Sequence, residues 1–414
     1  MLSSSSSFIR DKFAEYYEKN GSSIQSPSSI EKREFGFILF REKVMLRHKR
    51  FETTDALTSF LRTTVPLHTY YSSAYYESPE KEMDEKGWLG ADLIFDIDAD
   101  HMATPCGKIH DTWTCINCSF IGKGPSPEKC PKCGEQKFSN QTWLCEVCLA
   151  SAKTELIKLV DVLLKDFGLS QEELKIGFSG NRGYHLHVES EEIRAMDSMA
   201  RKEVVDYLVG IGLEPHFHGV GLKEEKNLRL PSRLSLDDFG WRGRIAKGTY
   251  EFLRTATQEE LEKIGLGKKA IKSLIQNRET ILENLKEKGE PWGKMRYVGS
   301  KGRRRILLCG IEKQSTKIDT VVTTDIHRLI RMNNTLHGKT GLKKVEVPIA
   351  KLESFDPLKS AIAFKEGSVA IYVNEAPKFR LGEEDYRHFK RERVELPTAA
   401  AMLLLCKGAA KVIT

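Results

Sequence analysis

Asp96 and Asp98 stand two residues apart in the run Gly90-Ala-Asp-Leu-Ile-Phe-Asp-Ile-Asp-Ala-Asp100. Leu93, Ile94, Phe95 and Ile97 are β-formers, so the run reads as a buried strand. Side chains alternate across a strand, which puts both carboxylates on one face and Ile97 on the other. Their Cα atoms are then about 6–7 Å apart, close enough for short acids to converge on divalent ions about 3.5–4 Å apart. An apolar strand that carries acids inward is costly unless cations compensate, so a metal site outweighs a solvated strand end. Asp92 and Asp100 share the same face by parity, at the two ends of the run, and are treated as context.

Ser179-Gly180-Asn181-Arg182-Gly183-Tyr184-His185 joins two strand-like segments, 175–178 and 184–188. Its glycines permit close backbone approach to a ligand, and Ser179, Arg182 and His185 supply donors for phosphate oxygens. An ordinary hairpin turn is the competing reading. A third carboxylate, Asp319, reads as a strand residue, and Arg328, Arg331, His337 and Lys339 follow it. Mg²⁺ keeps waters and substrate phosphates among its ligands, so three protein acids suffice, and Arg331 with His337 could hold a triphosphate. Taken singly, each cation has a structural explanation at a helix end.

Seven of the nine cysteines lie between Cys106 and Cys148, mostly as CxxC pairs, which in a reducing compartment means metal rather than disulfides. Cys115-x-x-Cys118 and Cys130-x-x-Cys133 are knuckles 11 residues apart, the spacing of a tetrahedral structural zinc. Cys106, His110, Cys145 and Cys148 flank them and make a second set of four, giving a nested pair of sites. Four protein ligands leave no open position, so neither zinc is expected to be catalytic. A redox role for the CxxC pairs needs a βαβ context that the sequence lacks.

The elements that must position these residues are those of an α/β chain in which short strands alternate with helices. Its 414 residues, 40% hydrophobic and 30% charged, describe a globular protein of several parts. No apolar run is long enough for a membrane span and no signal peptide is read at the N-terminus, so an intracellular protein, cytoplasmic or nucleoid-associated, is expected. The charge of +7 is a mild surplus whose meaning depends on clustering. Helices are read at 11–20, 55–64, 151–167, 197–210, 325–332 and 399–406. Strands are read at 33–38 and 44–51 (a hairpin carrying Arg47), 306–308, 345–348, 362–364 and 369–373. The chain becomes basic from 222 to 248, and the stretches 242–247 and 301–305 could track nucleic-acid phosphates. A charged helical pair at 257–288 reads as an insertion, and the tyrosines of 70–76 as core rather than a base-stacking platform. Segments 1–100, 150–255 and 295–414 then form the core, 101–149 a zinc-binding insertion and 256–294 a helical subdomain.

In order along the chain, Arg33-Glu-Phe-Gly-Phe37, the tyrosines of 70–76, the DxD run, the cysteine cluster, the Ser179–His185 turn and the stretch from Asp319 to Leu336-His337-Gly-Lys-Thr-Gly341 resemble the small catalytic subunit of archaeal and eukaryotic-type DNA primases, in its archaeal form. The resemblance implies an α/β core on mixed and antiparallel sheets with a zinc knuckle and a helical subdomain. It implies a DNA-dependent RNA polymerase that starts chains without a primer, with Asp96, Asp98 and Asp319 binding Mg²⁺ or Mn²⁺. Ser179, Arg182, His185, Arg331 and His337 would contact nucleotide phosphates, and Glu34 and Arg47 would add further nucleotide contacts. Cys106, His110, Cys145 and Cys148 match the knuckle; Cys115, Cys118, Cys130 and Cys133 look like an insertion into it. Asn181 stands where some relatives have a second Arg. The implied partners are single-stranded DNA, NTPs with dNTPs left open, and a large primase subunit, for which 399–405 is one candidate surface beside core packing. A gap-filling repair polymerase of the same superfamily, or a non-catalytic zinc-ribbon nucleic-acid-binding subunit, are the alternative functions.

Overall fold

Leu93–Asp98 is a strand whose apolar side chains are almost fully buried, Leu93, Phe95 and Ile97 on one face and Ile94 on the face of the partly buried Asp96 and Asp98. It pairs antiparallel with Gly183–Val188, placing Asp96 opposite His185 and Asp98 opposite Gly183. Leu174–Phe178 and Val345–Glu346 complete this four-stranded sheet. A second antiparallel sheet is ordered Leu329–Arg331, His68–Ser72, Phe35–Ile38, Met45–Lys49. Tyr71 of the second sheet stacks on His187 of the first with ring centroids 6.1 Å apart. The computed structural model describes residues 3–41, 44–102, 104, 106–215, 234–287 and 295–413.

The chain divides into two compact units. The first, Met1–Ile157, Ser170–Lys202 and Ile318–Thr414, contains both sheets, the cysteine-rich segment and a third antiparallel sheet of Phe389–Pro397, Ser368–Ala376 and Ala410–Val412. The helix Thr398–Cys406 buries Ala400 to Leu405 within this unit, so the apolar tail is core rather than an open docking surface. Tyr71, Tyr75 and Tyr76 are likewise buried, and Tyr75 lies under the Arg33 guanidinium at 3.6 Å from its centroid. Arg33 also holds Asp92 at 2.7 Å, which gives that acid a structural partner.

The second unit, Lys158–Leu169 and Glu203–Lys317, is helical, and the helices Gln258–Lys263, Lys268–Gln276 and Arg278–Lys286 lie inside it. Gly240–Thr255 and Ser300–Gln314 cross so closely that a Cβ on Gly248 would meet the Gly310 carbonyl oxygen at 2.0 Å. Ile306–Leu308, expected as a strand, is the middle of that second helix, with Ile306, Leu307, Gly310 and Ile311 turned inward. The run is too short to separate the two periodicities, and burial against a partner helix decides. Arg242 and Arg244 do not form an open phosphate track: Arg242 pairs with Asp238 at 2.7 Å and Arg244 with Asp166 at 2.5 Å. Arg304 pairs with Glu214, and Arg303 and Arg305 donate to the carbonyls of Val298 and Gly265. Residues 216–233, which include 222–233 of the basic stretch, lie outside the described residues.

The expected helix over 325–332 is instead a turn followed by the strand Leu329–Arg331, because its backbone completes the ladder with His68–Ser72. No strand forms at 362–364, which passes as loop. The helix expected at 151–167 begins earlier, spanning Glu146–Lys165, so Cys148 sits in its first turn. Among the described residues no helix is long and apolar enough to cross a membrane.

Candidate functional site

Asp319 reaches the acidic strand through the backbone: its N–H donates to the Asp96 carbonyl oxygen at 2.9 Å. It is not a strand residue, as expected, but the N-cap of a short helix, Thr320–Thr324, whose Val321 and Val322 N–H groups donate to its Oδ1. Capping satisfies orphan donors at a helix start and holds the carboxylate in one orientation. The structure thus gathers Asp96, Asp98 and Asp319 on one edge of the first sheet. The three carboxylates are not drawn into a tight ligand cluster by the protein itself. The donor set nonetheless fits a hard divalent cation, which takes oxygen ligands and completes its shell with water and phosphate.

Behind this edge, Gly183 is required: a Cβ there would meet the Ile97 carbonyl oxygen at 2.3 Å. Gly180 adopts φ +84° and closes the turn, and Asn181 N–H donates to Ser179 Oγ at 3.4 Å. His185 Nε2 lies 3.7 Å from Asp96 Oδ1, and its buried Nδ1 has no protein partner. Thr340 donates to the Gly180 carbonyl oxygen, bringing the loop that follows His337 against the turn. Lys339 N–H donates to His337 Nδ1 at 3.1 Å, so Nε2 of the neutral ring carries the proton and is a donor. Burial first, then the charges of Arg331, His68, Lys407 and Lys339, lower the His337 pKa well below its usual value.

Arg331 is buried on the second sheet, where Tyr70 is its ladder partner. Its guanidinium is held by His68 Nδ1 at 2.8 Å and donates to the Tyr70 hydroxyl at 3.1 Å. Among the described residues no carboxylate forms an ion pair with it, and its charge and that of Asp96 act on each other. Lys344 donates to the Arg331 carbonyl oxygen and is itself pushed down to about 7, chiefly by burial and then by Arg331. The neutral His185 thus lies beside Asp96, Arg331 acts on Asp96, and the loops of Ser179 and His337 are joined through the Thr340–Gly180 hydrogen bond.

Comparison with known sequences decides the family. Residues 130–350 match the family model described as DNA primase small subunit. The DNA primase small subunit of Methanothrix thermoacetophila is 34% identical over 435 residues, covering 100% of each chain. That of Archaeoglobus fulgidus is 35% identical over 406 residues and that of Cenarchaeum symbiosum 31% over 404, each covering 97% of both chains. The chain belongs to the DNA primase small-subunit family.

Two groups of cysteine and histidine ligand atoms that could hold a metal ion accompany the aspartates of this primase-family chain. Cys106, His110, Cys145 and Cys148 bring one ligand atom each within 4.8 Å of one another, and Cys115, Cys118, Cys130 and Cys133 do the same. In the first, Cys106 Sγ is 3.4 and 3.2 Å from those of Cys145 and Cys148, and His110 Nε2 is 3.2 Å from Cys145 Sγ. In the second, Cys115–Cys133 and Cys118–Cys130 stand at 3.5 and 3.6 Å. A tetrahedral zinc with bonds of about 2.3 Å needs sulfurs a little under 4 Å apart, so both sets fit. His110 Nδ1 lies 2.6 Å from Asp111 Oδ1, the outer partner that orients a ligating imidazole.

Arg182 has a different task from the expected phosphate contact. It is 1% exposed, with Nη1 2.7 Å from Asp100 and 2.9 Å from Asp111 and Nη2 3.2 Å from Cys148 Sγ. It ties the end of the acidic strand to the outer cysteine site. Glu34 is fully buried and binds Arg47 in two-point fashion, at 2.9 and 3.1 Å, and Lys86 at 3.1 Å. Burial pushes its pKa up, but Arg47 and Lys86 outweigh that and hold it low. Its carboxylate is therefore engaged within the protein, while Arg47 is partly exposed. His68 and Lys344, which help fix Arg331, are not singled out by the sequence, and Tyr70 is read there only as core; the folded contacts reveal their role.

Proposed function

We propose that this chain is the primer-synthesising catalytic subunit of a DNA primase, extending RNA on single-stranded DNA by nucleotidyl transfer. The observation that carries the reading is Asp319 bonded to the Asp96 backbone beside a buried Arg331 that has no carboxylate partner among the described residues. Asp96, Asp98 and Asp319 would hold Mg²⁺ or Mn²⁺, which when bound activates the attacking 3′-hydroxyl and stabilises the leaving oxygens. Arg331 supplies fixed positive charge for the triphosphate, and Ser179 Oγ and His337 Nε2 supply hydrogen bonds. Donors held before the substrate arrives cost no reorganisation at reaction. His185, whose buried Nδ1 lacks a protein partner, stands beside Asp96 where the α-phosphate would lie. Arg47, held by Glu34, is a further nucleotide contact in this reading. The 3′-hydroxyl attacks the α-phosphate and pyrophosphate leaves; template pairing rather than a protein contact selects the base.

The outer cysteine–histidine site and the inner four-cysteine site would each hold a structural zinc. A large primase subunit is the proposed partner, as the names of the relatives imply. The test is synthesis from NTPs or dNTPs with Mg²⁺ or Mn²⁺ on single-stranded DNA without a primer. New oligomers are expected, and Asp96→Asn should abolish them while zinc content stays unchanged. Extension only of an added primer overturns priming in favour of gap filling, and no synthesis at all overturns the catalytic reading.

A further inference from the structure

The helix Thr398–Cys406 ends against the loop after His337: a Cβ on Gly341 would lie 3.4 Å from Met402 Cβ and 3.6 Å from Cys406 Sγ. The next residue, Lys407, sends its ammonium inward. Its Nζ donates to the Thr142 carbonyl oxygen at 3.0 Å and to Asn181 Oδ1 at 3.4 Å. Both acceptors are neutral, so two of three N–H bonds are accounted for and the charge is not. Among the described residues no carboxylate forms an ion pair with it. The nearby acids Asp100 and Asp111 are already bonded to Arg182. Asp100 and Asp111 favour the Lys407 charge, and the cations Arg182 and Lys339 oppose it. Burial, then these cations, bring its pKa down to about 8.

A backbone tie to Thr142 needs only a donor. A buried ammonium whose hydrogen-bond acceptors are neutral, and whose nearest acids, Asp100 and Asp111, are engaged by Arg182, gains from a further anion. Its position names the anion. Asn181 lies in the turn between Ser179 and His185, and the Gly180 carbonyl oxygen of that turn accepts from Thr340 of the His337 loop. The Lys407 charge is also felt at His337. Lys407 therefore lies where the two segments assigned to the triphosphate meet.

We propose that Lys407 is a nucleotide-binding residue whose ammonium contacts a terminal phosphate of the incoming NTP, alongside Asn181 and Lys339. The proposal rests on the triphosphate reading of the preceding subsection. It adds the residue that follows the helix Thr398–Cys406 to a site otherwise built from the two sheets and their loops. A point charge on a flexible stem suits an oxygen that needs no planar recognition.

The experiment is equilibrium binding of ATP with Mn²⁺ to the full-length chain, compared with Lys407→Met, Lys407→Arg and His337→Ala. Loss of one charge-assisted hydrogen bond should weaken ATP binding by Lys407→Met about tenfold or more. Lys407→Arg should recover most of it, and in primer synthesis the KM for ATP should rise while kcat changes little. Thermal midpoint and zinc content separate this from a purely structural tie. If Lys407→Met binds ATP as tightly as the unmodified chain, or if its weaker binding comes with lost zinc and is not rescued by Arg, the proposal is overturned. When His337→Ala loses ATP and Lys407→Met does not, only the Lys407 assignment falls. If the unmodified chain binds no ATP, the triphosphate site itself is misplaced and Lys407 falls with it.

Discussion

Four histidines, His68, His185, His187 and His337, are buried around the proposed site, and none is held as a cation. For His68 burial, then Arg331 and Lys339, lower the pKa to about 2; for His187 burial, then Lys344 and Arg33, lower it well below 6.5. His337 follows the same pattern. Neutral imidazoles serve phosphate as hydrogen-bond donors while Arg331 provides charge. The arrangement has a pH signature. In the unfolded chain these groups titrate near 6.5, so below that pH the unfolded state takes up protons that the fold refuses. The histidine contribution to stability is fully present above about pH 6.5 and falls as pH drops, by about 1.4 kcal/mol per unit for each histidine. The thermal midpoint should decline as pH falls from 6.5 toward 5. His187→Gln should make the decline shallower; an unchanged slope in that variant counts against the account.

At the scale of elements, the short connections decide what the site residues do. The acidic strand was legible because alternation of apolar and acidic residues fixes two faces without any tertiary knowledge. The cysteine sites were legible because ligand chemistry and spacing carry them. Arg182 was not, since a cation in a glycine-flanked turn says nothing about the direction it takes. Here it turns toward Asp100, Asp111 and Cys148. Asp319 was found by type but misread in structure, because its capping role depends on the Thr320–Thr324 turn that follows it. The strand Leu329–Arg331 was hidden for a similar reason: its pairing partner lies some 260 positions earlier, as the Arg331–His68 contact records (|i−j| = 263). The Arg182 geometry yields its own prediction. Arg182→Met leaves two acids facing a cysteine site without their cation and should cost about 3 kcal/mol or more. Arg182→Lys should not restore it, because one ammonium cannot span both carboxylates and the sulfur. Thermal melts and zinc content read the result; an unchanged midpoint with weaker nucleotide binding would return Arg182 to the phosphate site.

At the scale of the molecule, all the candidate catalytic, nucleotide and zinc residues fall in the first compact unit, and the inner four-cysteine ribbon is a discrete addition to it. Three short antiparallel strands, Thr112–Cys115, Ile121–Lys123 and Phe138–Gln141, enclose a small core of Trp113, Cys115 and Cys130 with Phe138 against it. Thr112 pairs directly with Gln141, so the ribbon leaves and re-enters the chain at neighbouring positions about 5 Å apart. Asp111 and Trp143, joined by a 2.8 Å hydrogen bond from the Trp143 N–H, lie outside that pair and stay with the outer site. Replacing residues 112–141 with a short glycine-containing turn should therefore remove one zinc and leave the other. The intact chain should carry two zinc ions and the shortened chain one, measured by metal analysis after dialysis. The thermal midpoint of the remainder should change little, since the ribbon core consists largely of its own residues. One zinc in the intact chain, or none in the shortened one, contradicts the nested arrangement. Because Thr142 is retained, the backbone acceptor of Lys407 survives, and nucleotide binding by the shortened chain should match that of the whole.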